Sequence, residues 1–250
     1  MSNVDGLVWL LLILGPLIFV QRRLHLEIQT VLLLISRHRD ISLLLFSLLF
    51  FPGVLLHELS HYVTARILGV RAGRFSLIPT PMPDGRLRLG FVETASVDFV
   101  RDAFIGAAPL LSGGLFVAYA GIERLKLTLL WDSLVYGSLP LKEALTAISG
   151  QADFWLWFYL AFTVSSMMLP SASDRRAWLP LMLVLSVLVG MALLSGAGPW
   201  MLAYLTPLLD RALEAIAATF SISVFLHLAL LLPMWIIRKL LNRITGLEVT

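Results

Sequence analysis

Residues 41–69 read ISLLLFSLLFFPGVLLHELSHYVTARILG, an apolar run whose first part, Ser42 to Leu56, carries no charge and whose second part holds His57, Glu58 and His61. The run is long enough to cross a hydrocarbon core about 30 Å thick. Polar groups are expensive in such a core, so three of them in one turn point to function. Counted at about 1.5 Å per residue from Ile41, His57 falls about 24 Å along a straight helix, several ångströms beneath the lipid surface.

His57-Glu58-Leu59-Ser60-His61 is H-E-x-x-H. Four residues is slightly more than one helical turn, so both imidazoles lie on one face and can hold one zinc ion, with Glu58 beside them to take a proton from water. With 5 histidines and seven glutamates in 250 residues, chance yields roughly 0.003 matches to this pattern. The bland alternative is a pair of core histidines with Glu58 paired to an arginine, which buries three costly groups without a metal to repay them.

Composition sets the frame around the motif. The chain is 58% hydrophobic and only 14% charged, against about a quarter charged in a soluble domain, and this marks an integral membrane protein. Its 19 Lys+Arg and 16 Asp+Glu give a net charge of +3, spread between apolar runs, which leaves no basic tract for nucleic acid. The absence of cysteine excludes disulfides, thiolate metal sites and a cysteine nucleophile. At roughly 20 apolar residues per span, the chain has room for about six helices in one domain and little else.

Outward from the motif, Val4–Val20 reads as a retained membrane helix, since its basic residues follow the apolar run, the reverse of a signal peptide. Leu24–Ile35 is expected to be a short interfacial or re-entrant segment. Residues 70–98 alternate, carry Pro79, Pro81 and Pro83 and an Asp84-Gly85 turn, and predict a β-hairpin. Ala103–Gly121, rich in small residues, predicts a closely packed span. Ile122–Asp153 predicts two surface helices, Phe154–Pro170 and Trp178–Leu194 two spans, Gly196–Ala218 a surface stretch and Ile222–Leu241 a last span. The expected fold is therefore an all-α polytopic bundle with a small hairpin after the H-E-x-x-H helix.

A catalytic zinc site takes a third protein ligand and keeps one position open. Glu93, Asp98, Asp102, Asp174 and His227 are the candidates. Asp174 follows a span expected to run in the same direction as that of His57, which places it at a similar depth. Ser171-Ala172-Ser173-Asp174 also fits the S-x-x-[DE] capping pattern, so the sequence leaves ligand and cap both open.

H-E-L-S-H in a membrane helix, a hairpin after it, a small-residue span and an aspartate just past a later span together resemble the site-2 protease family of intramembrane zinc metalloproteases. The resemblance covers roughly residues 41–180. It implies that His57, His61 and Asp174 are the zinc ligands, that Glu58 is the catalytic glutamate, and that Ala108-Pro109-Leu110-Leu111-Ser112 corresponds to the family's G-P-x-x-N segment. Asp174 is flanked by Ser173 and Arg175 where the family has Leu and Gly, and Ser112 stands where Asn is common. No interval between spans is long enough for the PDZ module of some members.

The implied activity is hydrolysis of a peptide bond in or near a transmembrane segment of a membrane protein substrate, with Zn2+ as cofactor and a regulatory membrane partner as a further expectation. A helical substrate must unwind before its carbonyl is accessible. Arg86, Leu87, Arg88, Leu89, Gly90 and Phe91 are candidates to receive the unwound strand, with Ser112 as a further substrate contact; an ordinary surface hairpin is the alternative. The placement of arginines after residue 60 puts the site toward the cytoplasm, with the topology of residues 1–40 left open, and a prokaryotic cell membrane is the expected location. Two other readings stay open, a zinc-binding or metal-transporting membrane protein and an inactive protease-like scaffold. Five histidines are too few for a histidine-rich lipid desaturase.

Overall fold

The computed structural model describes residues 5–77, 79–81 and 87–246, with backbone alone at 80, 81, 87 and 88. It opens on one helix, α1 (Asp5–Ser36), of 32 residues, about 48 Å long. The separate interfacial segment expected at Leu24–Ile35 does not form. The polar residues that suggested a break are paired inside the bundle: Gln21 donates to the carbonyl of Ser166, and Glu27 accepts from Arg23 at 2.8 Å and from Arg238.

The apolar run of residues 41–69 is not one straight helix. It folds as α2 (Arg39–Leu49) and α3 (Phe51–Ile67), bent by 66° at Phe50. Pro52 is the physical reason, because it lacks the amide that would continue the α2 ladder onto Leu48 O and is well suited to the first turn of a new helix. The depth of His57 counted along a straight helix therefore does not carry over.

The expected hairpin consists of two nested antiparallel pairs. Strand β1 (Ala72–Ser76) pairs with β4 (Phe91–Thr94), and β2 (Thr80–Pro81) with β3 (Leu87–Arg88). The turn residues Asp84-Gly85 and Arg86 lie outside the described residues. The strand expected to run unbroken through Leu87, Leu89 and Phe91 is interrupted at Leu89-Gly90.

Then follow α4 (Phe99–Tyr119), α5 (Thr128–Tyr136), α6 (Leu141–Ser149), α7 (Phe154–Met167), α8 (Trp178–Leu194), the single turn α9 (Gly198–Trp200) and α10 (Thr206–Thr245). The two surface helices and α8 fall where expected. The surface stretch expected at Gly196–Ala218 is instead largely the first turns of the 40-residue α10. Helix α8 is apolar on every face and has no buried residue, the pattern of a lipid-facing helix.

By length and composition, three described helices can cross a membrane, α1, α4 with its continuation to Arg124, and α10 with the turns before it; the bent α2–α3 pair makes up to four. Helices α7 and α8 are apolar but shorter, at 14 and 17 residues. Six full-length spans are thus more than the described helices supply.

Three helices position the site. Helices α3 and α7 run in the same direction: Tyr159 donates to Leu49 O at 2.9 Å, and a β-carbon built on Gly53 would stand 2.1 Å from Thr163 O. Helix α4 runs opposite to α7, with Gly113 against Met168 and Gly106 against Asp174. At both crossings a glycine lets the backbones approach, as small residues do between membrane helices.

Candidate metal centre

His57 and His61 stand one turn apart on α3, their Nε2 atoms 3.1 Å from each other. The opposite nitrogen of each ring is held by a backbone carbonyl. His57 Nδ1 donates to Met167 O at 2.6 Å, and His61 Nδ1 donates to Ile105 O at 2.8 Å. A carbonyl only accepts, so each Nδ1 carries a hydrogen, and in its neutral form each ring turns a lone pair on Nε2 toward the group.

Asp174 closes the group from the segment after α7. Its Oδ2 lies 3.6 Å from His57 Nε2 and its Oδ1 3.4 Å from His61 Nε2. Ligand atoms of the three residues all fall within 4.8 Å of one another, and the group can hold a metal ion. Two lone pairs and a carboxylate this close repel unless a cation sits among them. Burial alone would raise the Asp174 pKa, but in the metal-free protein a hydrogen bond from His57, with a proton on its Nε2, and bonds from Ser171 favour the charged form and hold the carboxyl well below its usual range.

The capping pattern is also present. Ser171 N donates to Asp174 Oδ2 at 2.7 Å, and Asp174 N donates to Ser171 Oγ at 3.3 Å. This reciprocal pair closes the turn 171–174, four residues ahead of the start of α8, whose N-cap is Ala177. Ligand geometry and capping box, alternatives in the sequence, coexist because the carboxylate has two oxygens with several lone pairs to share.

The two carbonyls that orient the histidines were not legible as site residues, yet each has a local cause. Ile105 O would ordinarily accept from the amide four residues on, which is Pro109 and has no hydrogen. Met167 O would accept from Ser171 N, which donates to Asp174 instead. Both carbonyls are thereby left for the imidazoles.

Glu58 is buried, 8% exposed, and lines the same cavity of about 830 Å³ as His57, His61 and Asp174. A β-carbon on Gly90 would lie 2.9 Å from Glu58 Cγ and 3.1 Å from Ser76 O. Glycine is therefore what allows the β4 approach to pass over the glutamate. Leu89, Gly90 and Phe91 line the cavity, followed by Val92, Glu93 and Thr94.

The remaining candidates separate cleanly. Arg86 lies outside the described residues, and the side chains of Leu87 and Arg88 are likewise not described. Ser112 does not line the cavity; its hydroxyl donates back to Pro109 O at 3.4 Å, because it sits almost two turns further along α4 than Ile105. Asp98 caps α4, accepting from Val100 N at 3.1 Å and Arg101 N at 3.0 Å. Asp102 is held by Arg176 through two bonds of 2.7 Å. His227 is fully buried, bonded to Ser166 Oγ at 3.0 Å and to Ser223 O at 2.7 Å. Glu93 is exposed on β4 and stands outside the converging group.

No family model, curated protein or solved structure matches this chain.

Proposed function

We propose that the protein is an intramembrane zinc endopeptidase that hydrolyses a peptide bond in or near a membrane-spanning segment of another protein, the activity of the site-2 protease family its motifs resemble. The observation that carries this reading is the convergence of three ligand groups. The two Nε2 atoms are 3.1 Å apart, Asp174 Oδ2 is 3.6 Å from His57 Nε2 and Oδ1 3.4 Å from His61 Nε2, and one ligand atom from each residue falls within 4.8 Å of the others. Zinc bonds of about 2.0–2.2 Å in tetrahedral geometry give edges of about 3.3–3.6 Å, which side-chain movements of a few tenths of an ångström to about one ångström would reach from this arrangement. The donor types and the carbonyl behind each imidazole also suit zinc.

When bound, zinc supplies a Lewis acid that polarises a peptide carbonyl and acidifies water. The chain's own residues do the rest. Glu58 accepts the proton of the attacking water and returns it to the leaving amine, which needs a carboxylate beside the ligands and partly shielded from solvent. Its neighbour Gly90 lets a backbone reach that carboxylate. Strand β4 is bonded to β1 on one edge, and its residues 91–94 face the cavity. An unwound substrate laid along β4 would recover backbone hydrogen bonds lost with its helix.

The test compares Glu58→Gln with the wild-type protein on a single-span membrane substrate in detergent, with zinc content measured on the same samples. Loss of cleavage with zinc retained is expected. Cleavage by Glu58→Gln at the wild-type rate, or by neither protein, would instead favour a zinc-binding or transporting role.

A further inference from the structure

We infer that Pro109 is a positioning residue for the metal centre, acting by withholding an amide hydrogen. This inference rests on the zinc reading above. Helix α4 continues through Pro109 to Tyr119, so the proline does not end an element, although a proline in a helix interior is destabilising. Its missing N–H is the one that would have closed on Ile105 O. That same carbonyl accepts from His61 Nδ1 at 2.8 Å.

The consequence for the ligand follows from ring chemistry. Fixing the hydrogen on Nδ1 fixes the lone pair on Nε2 and the rotation of the ring, and Nε2 then points to Asp174 Oδ1 at 3.4 Å and to His57 Nε2. Alanine at 109 would restore a helical amide to compete for Ile105 O, leaving His61 free to turn or to change tautomer. Partners in this outer position change metal affinity about 10–100-fold when lost. Packing argues for the same site: one turn of α4 carries Ile105 O against His61 and Gly106 against the carbonyl of Asp174.

A proline that merely bends α4 and one that reserves a carbonyl predict different results. In the full-length protein in detergent, zinc affinity is measured by chelator competition for wild type, for Pro109→Ala, and for a protein carrying lactic acid at 109, which places an ester oxygen where the amide would be. The expected result is a loss of tenfold or more in Pro109→Ala, with metal-free thermal stability unchanged or raised, and affinity restored to within about threefold by the ester. Unchanged affinity in Pro109→Ala, or a loss that the ester does not rescue, overturns the inference while leaving the zinc site standing. A wild-type protein that takes up no zinc overturns both.

Discussion

Gly106 on α4 passes so close to Asp174 that a β-carbon built on it would lie 1.9 Å from the Asp174 carbonyl oxygen. The contact is backbone to backbone, so no side chain can yield to relieve it. Gly106→Ala should therefore push the 171–174 turn off α4 and shift Asp174 relative to the two histidines, at an overpacking cost of about 1–3 kcal/mol. The expected result is zinc affinity at least tenfold weaker by chelator competition. Gly114→Ala is the control: its nearest neighbour is Thr219 Cγ2 at 4.0 Å, and its affinity should stay at the wild-type value.

Gly90→Ala addresses Glu58 instead of the ligands. The added methyl would meet Glu58 Cγ at 2.9 Å and Val54 Cγ1 at 3.1 Å, so either the strand lifts or the carboxylate turns. Cleavage should fall at least tenfold while zinc content stays at wild-type level, since no ligand contact is touched. Equal loss of zinc and activity would place Gly90 among the supports of the metal group.

Arg176 holds Asp102 through two bonds of 2.7 Å and ties the segment carrying Asp174 to the first turn of α4. The guanidinium is 61% exposed, so screening limits the pair to about 0.5–1 kcal/mol despite its two-pronged geometry. A double-mutant cycle of Asp102→Ala and Arg176→Ala on thermal stability should return a coupling of that size, smaller in 1 M salt. A coupling unaffected by salt would mean that packing, not charge, links the two.

The Asp174 carboxyl sits below its ordinary range because contacts with His57 and Ser171 outweigh burial. A depressed carboxyl contributes stability that is present above the unfolded value of about 3.9 and is lost as pH falls through the folded value. In metal-free protein, the difference in melting temperature between wild type and Asp174→Asn should be full at about pH 5 and shrink below about pH 4. A difference that vanishes near pH 6 would assign the dependence to the imidazoles.

The histidine pair was legible in the chain because helical spacing alone places His57 and His61 on one face, whereas Asp174 stayed open between ligand and cap, and its approach depends on the packing of α7 and α4 against α3. What stayed hidden is of two kinds, one local and one long-range. The bend at Phe50 is a local effect of Pro52 whose size no hydropathy pattern gives. The continuity of α1 through Gln21 and Glu27 requires partners on α7 and α10, and a sequence read segment by segment leaves such polar groups at an interface. Ser112 and Ile105 differ by almost two turns of α4, which is enough to separate a side chain outside the cavity from a carbonyl that orients a ligand.

X-ray absorption at the zinc edge on the purified protein reads the His57, His61 and Asp174 shell itself. One zinc per chain is expected in a light-atom shell at about 2.0–2.1 Å with the multiple scattering of two imidazoles, lost in His57→Ala combined with His61→Ala and reduced to a weakly held ion in Asp174→Ala. A protein that retains no zinc, or whose spectrum is unchanged by replacing both histidines, would contradict zinc binding by these residues.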